Sequence, residues 1–269
     1  EAPASLPIEP AISLTPTIGE GFLGHLGLEV HRSATQWSLS PKLAEANATQ
    51  FNLELTGRCV VSDMEVTHQF KLDSIDSVLR LSVRVRNLSG EATLFIDNCA
   101  VTLPLPDQLS ELEEVTGRWA YEFQNQRHAI TRSAYVRENW TGRSSHHMNP
   151  TLTLFEKTTS ATHGDVLGVH LGWSGNHQMR IESLADGRRM LQAGELLRPE
   201  ELELGPGEEY QTPSLYLCHS SQGQNGLTRQ WHQMIRREFI TKQPPASTRR
   251  PLQLNTWEAL YLAVNESSV

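Results

Sequence analysis

The sequence predicts an all-β protein, a large sandwich of two antiparallel sheets that is followed by one amphipathic helix and a linker. Two observations carry this prediction. A two-residue alternation of apolar and polar side chains recurs from about residue 49 onward, with turn-forming residues between the runs, and the period changes only once, late in the chain. The 269 residues suit one large all-β unit with a tail.

The clearest strand runs from Val78 to Arg86, where leucines and valines alternate with arginines and a serine. One face of such a strand is apolar and the other polar, which is typical of a half-buried antiparallel sheet. Between two later runs, Asp186-Gly187 predicts a hairpin turn. The other predicted strands are Gln50–Leu55, Cys59–Leu72, Ala92–Leu105, Trp119–Arg127, Ala134–Glu138, Thr151–Glu156, Val166–Trp173, Met179–Leu184, Leu202–Leu204 and Ser214–His219.

A helical period replaces the alternation near residue 227. Leu227, Trp231, Ile235 and Phe239 are four residues apart, so they predict one apolar stripe on a helix of three to four turns. Two prolines in the stretch 242–250 then stop the helix and indicate an extended linker.

The last residues predict the start of a second domain. Pro251–Trp257 has the composition of a strand, and it is followed by no turn or pairing partner before Val269. The predicted organisation is therefore a sandwich domain over 1–240, a linker over 241–250, and the first strand of a further domain over 251–269.

Composition excludes several classes of function. Lys and Arg number 23 against 31 Asp and Glu, which gives a net charge of −8, and no basic run is long enough to follow a nucleic-acid backbone. The same acidic balance argues against an anionic membrane surface, and no apolar run approaches the ~18 residues of a membrane span. Cys59, Cys99 and Cys218 are odd in number and show no CxxC motif and no Cys/His ligand spacing, so we expect buried free thiols in a reducing cytoplasm.

Few side chains suggest chemistry of their own. Glu111, Glu113 and Glu114 are too close in sequence to face each other across a pocket, and we expect a solvated acidic turn. His146 and His147 are neighbours that cannot both bind one metal on a regular strand, so we expect no metal site. We likewise expect no cofactor.

One polar loop, Thr141–Pro150, has two interpretations. Its Gly, Arg, Ser, His and Asn residues could hydrogen-bond sugar hydroxyls or a neighbouring domain, or they could satisfy the loop's own backbone. Trp140 and Trp173 are the candidates for an exposed sugar-stacking platform. Trp37, Trp119 and Trp231 lie in alternating or helical patterns and are expected in the core.

Ordered motifs over roughly 140 residues resemble the N-terminal region of bacterial family 36 glycoside hydrolases, the α-galactosidases. The motifs are Gly117–Ala120, Glu138–His146 with Asn149-Pro150, Gly168 through Trp173–Asn176, Leu204–Glu208 with Thr212-Pro213, and Arg250-Pro251 through Asn255–Ala259. Gly21–Gly24 with His31-Arg32 is similar to the opening segment of that family.

The resemblance implies a β-supersandwich of the galactose-mutarotase-like type, followed by a (β/α)₈ barrel and a small β domain. It implies retaining hydrolysis by two aspartates of the barrel, so that residues 1–269 contain no catalytic residue and are inactive alone. Trp257 matches a galactose-pocket tryptophan of the first barrel strand. Members often form tetramers in which one subunit's N-terminal domain reaches another's active site, and Arg32, Arg143 and His146 are the candidates for that role.

The sequence thus favours the N-terminal domain of a cytoplasmic, oligomeric α-galactosidase that acts on melibiose- or raffinose-type sugars. This domain would brace the barrel, wall one side of the pocket and support assembly. Two alternatives remain open, an autonomous carbohydrate-binding module and a purely structural oligomerisation domain.

Overall fold

The computed structural model describes residues 12–240 and 252–268. These residues form two compact units, the first reaching Gln233 and the second beginning at Met234. The first unit consists of antiparallel strands in two sheets, so the predicted all-β sandwich is confirmed. None of the helices within the described ranges is long and apolar enough to cross a membrane.

The smaller sheet has six strands and the larger has ten. The smaller follows the order β1-β6-β13-β12-β9, with β14 on β6, and the larger follows β2-β3-β4-β5-β16-β11-β10-β7-β8, with β15 on β5. The strands are β1 Leu28–His31, β2 Lys42–Ala48, β3 Asn52–Cys59, β4 Met64–Leu72, β5 Val78–Asn87, β6 Leu94–Leu105, β7 Leu109–Arg118, β8 Tyr121–Ala129, β9 Tyr135–Asn139, β10 Thr151–Glu156, β11 Val166–Leu171, β12 His177–Ser183, β13 Arg189–Glu195, β14 Leu202–Leu204, β15 Glu209–Gln211 and β16 Leu215–Ser220.

The core lies between the two sheets and is built by the predicted alternation. In β5, Leu81, Val83 and Val85 are buried in the main apolar cluster, whereas Arg80 and Arg84 stay partly exposed. Burial of each such side chain contributes about 1.5–3 kcal/mol. In β5 the alternation therefore decides which face of the strand enters the sandwich.

The hairpin predicted at Asp186-Gly187 is confirmed. It joins β12 to β13, whose ladder runs from His177 opposite Glu195 to Ser183 opposite Arg189. Gly187 has φ +90° and donates its N–H to the carbonyl of Leu184 at 2.9 Å. A left-handed residue at this position is favoured by glycine, which has no Cβ to clash.

Helix α1 spans Gly223–Ile235 and is followed by a π-helical turn over Arg236–Ile240. Leu227 is buried as predicted, but the expected continuation of the stripe to Ile235 and Phe239 is wrong, because both are exposed. Each residue of an α-helix turns by about 100°, so residues four apart are offset by about 40° around the helix axis. After two such steps, Ile235 is about 80° away from Leu227. Met234 lies within about 20° of Leu227 and is the residue that is buried.

Two tryptophans expected in the core are exposed instead. Trp119 is 83% exposed, because it occupies the tip of the β7–β8 hairpin at the edge of the larger sheet. Trp37 follows β1 and is 46% exposed, with one side against the ring of His31 at 4.6 Å. Trp231 in α1 is partly buried.

The acidic cluster is not a turn. Glu111, Glu113 and Glu114 lie within strand β7, where neighbouring strands supply cations. Glu111 pairs with Arg127 of β8 at 2.7 Å. The carboxylates therefore belong to a paired strand surface, which local acidity in the sequence did not reveal.

The expected strand over Pro251–Trp257 is wrong for its described part. Leu252–Thr256 form no strand, and Trp257–Leu260 form the short helix α2. A strand needs a neighbouring ladder for its backbone groups, and no strand pairs with these residues in the described part of the chain. The predicted linker 241–250 lies outside the described residues.

Candidate functional site

An open cleft of about 620 Å³ lies at one end of the larger sheet. Strands β8, β10 and β11 contribute one side of it, and the loop that passes from β9 of the smaller sheet to β10 of the larger sheet contributes the other. The turn between β11 and β12 completes the wall. The lining residues are Phe123, Ser144, Ser145, His146, Asn149, Pro150, Thr151, His170, Gly172, Trp173 and Ser174.

The loop after β9 is held by Asn139, which is buried. The Asn139 amide donates to the carbonyl of Arg143 at 2.8 Å and accepts the Thr141 hydroxyl at 2.7 Å. The N–H of Gly142 donates to Asn176 at 2.8 Å, which ties the loop to the β11–β12 turn. Asn139 and Thr141 thus satisfy the loop's own backbone, while other polar side chains of the loop line the cleft.

A buried arginine holds the loop through a hydrogen bond to its backbone. Arg137 is only 4% exposed, and its Nη2 donates to the carbonyls of Val115 at 2.6 Å and His147 at 3.2 Å. Its Nη1 lies 3.4 Å from Glu114, which also accepts the Tyr135 hydroxyl at 2.6 Å. Burial and this hydrogen bond raise the pKa of Tyr135 above its ordinary value. The network links β7, β9 and the loop.

The cleft carries no formal charge. Asp, Glu, Lys and Arg are absent from its lining residues, all of which belong to the described part of the chain. Burial, and to a smaller degree the nearby His177, lower the pKa of His170, so its imidazole is neutral near pH 7. The site is therefore polar and has no permanently charged side chain, and its lining includes the aromatic rings of Phe123 and Trp173.

The indole of Trp173 is held at the cleft by its own turn. The backbone N–H of Trp173 donates to the carbonyl of Leu171 at 2.8 Å, and the indole ring lies against the backbone of Gly175. A Cβ at residue 175 would come within 2.7 Å of the Trp173 Nε1 atom. The absence of a side chain there permits the position of the ring.

The structure places the predicted site residues in different surroundings. Arg143 is exposed, and no hydrogen bond or ion pair of its side chain occurs within residues 12–240 and 252–268. His146 lines the cleft beside Ser145. Trp257 lies in the second unit, begins helix α2 and is 54% exposed, with Tyr261 edge-on at 5.6 Å.

Arg32 is engaged by the fold. Its guanidinium donates to Ser62 O and Asn87 Oδ1 at 2.7 and 2.8 Å, and to the carbonyls of Asp63, Ala92 and Thr93 at 2.7–3.3 Å. The side chain is 9% exposed. With its donors occupied in this way, Arg32 cannot reach a sugar without breaking buried hydrogen bonds, and the geometry assigns it to the fold.

Sequence reasoning missed Arg137, Tyr135 and Glu114, which position the loop, and His170 in the cleft. The alternation in Ala134–Glu138 could have marked Arg137 as facing the core, because residues two apart in a strand lie on the same face and Arg137 shares its face with Tyr135 and Asn139. No signal in the sequence connects it to Glu114. Among the described residues, no group of three or more His, Cys, Asp or Glu side chains is arranged to hold a metal ion.

The fold matches part of known α-galactosidase structures. Structures of the GH36 α-galactosidase AgaA from Geobacillus stearothermophilus and of the α-galactosidase from Lactobacillus brevis superpose on this chain with TM-scores of 0.80 and 0.79. Each alignment covers 94% of this chain and 38% or 36% of the other chain, at 23% or 22% identity.

Sequence comparison identifies the family of this chain. The family described as the glycosyl hydrolase family 36 N-terminal domain matches residues 2–205, and the Melibiase family matches residues 209–269. An α-galactosidase of Escherichia coli is 36% identical over 97% of this chain, and α-galactosidase C of Emericella nidulans is 32% identical over 72%. The chain belongs to the glycosyl hydrolase family 36 N-terminal domain family, as its motifs predicted. It spans 36% and 26% of the lengths of these two relatives.

Proposed function

We propose that this chain is the non-catalytic N-terminal domain of an α-galactosidase that removes terminal α-galactosyl residues from melibiose- and raffinose-type oligosaccharides. The observation that carries the proposal is the 36% identity to an α-galactosidase along 97% of the chain. The Melibiase match over residues 209–269 supports the link to an α-galactosidase. We divide the chain into a sandwich domain over 1–240, a linker over 241–250 and the barrel's first residues over 251–269.

The chemistry belongs to the barrel in this proposal. Retaining hydrolysis uses one carboxylate as nucleophile and a second as general acid and then base. Two aspartates that follow residue 269 supply both groups. The sandwich braces that barrel and supports a homo-oligomer, with a tetramer as the expected state, and the three buried free cysteines agree with a cytoplasmic protein.

Arg143, His146 and Trp257 are the proposed contacts of this chain with the substrate. Arg143 is the best placed of them to reach a neighbouring subunit, because it is exposed and its side chain is free of partners in the described part of the chain. His146 contributes from the adjoining cleft wall. Trp257 contributes from the barrel's first residues.

The test measures kcat and KM for raffinose with the gene product extended through its natural C-terminus. Arg143→Ala and His146→Ala are expected to raise KM at least threefold with little change in kcat, because they remove binding groups away from the aspartates. Arg132→Ala is the control, since Arg132 is another exposed arginine that lies outside the cleft. A wild-type KM in both Arg143→Ala and His146→Ala would contradict the wall role, and a monomer in light scattering would contradict the role in assembly.

A further inference from the structure

We propose that the cleft binds an uncharged oligosaccharide on this chain alone, with the indole of Trp173 stacked on a sugar ring and the polar residues around it hydrogen-bonded to the hydroxyls. This site goes beyond the proposed function, because it requires neither the barrel nor a second subunit.

The lining chemistry selects a neutral ligand that is rich in hydroxyl groups. A nucleotide or an acidic peptide would find no counterion in the cleft, whose lining contains no charged side chain. A purely apolar ligand would leave the free hydrogen-bonding groups of the Ser, His and Asn side chains in the lining without partners. Sugar rings satisfy both constraints, since they combine an apolar face for an indole with hydroxyls that donate and accept.

Several polar groups of the cleft are available to such hydroxyls. Within the described ranges, the hydroxyls of Ser144 and Ser174 and the ring nitrogens of His170 have no hydrogen-bond partner. Asn149 accepts the Thr151 hydroxyl at 2.6 Å through Oδ1, which leaves its Nδ2 group free to donate. These groups supply donors and acceptors on both sides of the cleft.

The walls are fixed in position before a ligand arrives. Ser144 N donates to Ser174 O at 2.6 Å and so joins the two loops. Leu171 N donates to Pro150 O at 2.9 Å, and Gly172 N donates to Ser214 O at 2.8 Å. Such preorganisation reduces the ordering cost of binding, and about 620 Å³ falls inside the ~300–1,000 Å³ range of small-ligand sites.

Trp173 provides the most specific element of the proposal. It is 38% exposed, so part of its ring is open to a ligand while the rest is held by the turn. Trp140 offers a matched comparison, because it is 43% exposed, has Arg198 over its ring at 5.2 Å and lies outside the cleft.

The experiment titrates raffinose into the 269-residue chain by isothermal calorimetry. We expect saturable binding, at least tenfold weaker in Trp173→Ala and within twofold of wild type in Trp140→Ala. Gly175→Ala should weaken binding at least threefold, because the new Cβ displaces the indole without removing it. Thermal unfolding of each variant checks that it is folded.

Three results would overturn the proposal. They are an absence of binding by the wild-type chain up to ~20 mM raffinose, equal losses in Trp173→Ala and Trp140→Ala, or tighter binding of a charged probe such as glucose 6-phosphate. If Trp173→Ala fails to fold, saturation-transfer NMR on the wild-type chain decides, since irradiation of aromatic protons must reach raffinose. Failure here leaves the raffinose kinetics of the extended protein unaffected, so the two proposals fail separately.

Discussion

Replacement of Arg32 by methionine tests whether this guanidinium stabilises the fold. The structure places it at the junction of β1 with the β3–β4 turn and with the loop after β5, where it donates to five acceptors. Asn87, one of these acceptors, also donates to Leu204 O and Gly205 O at 2.9 and 3.1 Å. Loss of Arg32 therefore removes its own hydrogen bonds and also disturbs those that Asn87 makes.

The size of the expected loss in unfolding free energy depends on which acceptors of Arg32 are buried away from water. Ser62 and Asn87 are at most 1% exposed, so Ser62 O and Asn87 Oδ1 cannot be rehydrated easily. A hydrogen bond to a charged group contributes about 1.5–3 kcal/mol, while carbonyls in partly exposed contacts recover water. We therefore expect Arg32→Met to lower the free energy of unfolding by about 3–5 kcal/mol, which corresponds to a fall in Tm of roughly 10 °C.

The assay is urea unfolding and thermal unfolding of the 269-residue chain, followed by circular dichroism. Arg143→Met is the control and should change the free energy of unfolding by no more than about 0.5 kcal/mol, because Arg143 is exposed. Equal stabilities of the two variants, or a Tm of Arg32→Met within about 2 °C of wild type, would refute this reasoning.

Three further variants probe other parts of the fold. Gly168→Ala should lower the free energy of unfolding by about 1–3 kcal/mol in urea titrations, because its Cβ would lie 2.6 Å from the Trp231 Nε1 atom under helix α1. Tyr135→Phe should cost about 1–2 kcal/mol in the same titrations, since it removes the donor to Glu114. Burial lowers the pKa of His68 to about 4. As the pH falls from 6.5 towards 4, the free energy of unfolding of the wild type should therefore decrease by about 3 kcal/mol more than that of His68→Gln.

The sign of the His68 effect follows from linkage. The unfolded chain binds a proton near pH 6.5 and the folded chain only near pH 4, so stability is fully present above pH 6.5 and is lost below it. Parallel pH profiles of wild type and His68→Gln would contradict this. For Gly168, the control is Gly90→Ala, which meets no atom within 4 Å and should be neutral. For Tyr135, a wild-type free energy of unfolding in Tyr135→Phe would show that the contact with Glu114 is not stabilising.

Local patterns in the sequence were sufficient for most of the sandwich. The alternation in β5 and the Asp186-Gly187 turn predicted strand and hairpin correctly, because both depend on residues that are close in the chain. The end of helix α1 was not predictable from a spacing of four, since the buried face follows a period of 3.6. Trp119 shows the same limit for strands, because alternation does not reveal that a hairpin tip extends past its neighbours.

The candidate site was predicted only in part. The loop 141–150 and Trp173 were marked by composition and motif, and the structure brings them together in the cleft. Arg32 and Arg143 are the same residue type, so the sequence does not separate them. In the structure Arg32 is buried against carbonyls that are distant in sequence, whereas Arg143 is exposed. The pairing of Arg137 with Glu114 depends on the arrangement of β7 and β9, which lie in different sheets. Such contacts between distant residues are set by tertiary structure.

The most direct test of the proposed function is release of nitrophenol from p-nitrophenyl α-galactoside by two proteins in parallel. One is the 269-residue chain, and the other is the same gene product extended through its natural C-terminus. We expect turnover by the extended protein alone, since the proposed function places both aspartates in its barrel. Turnover by the short chain, or none by the extended protein, would contradict the proposed function.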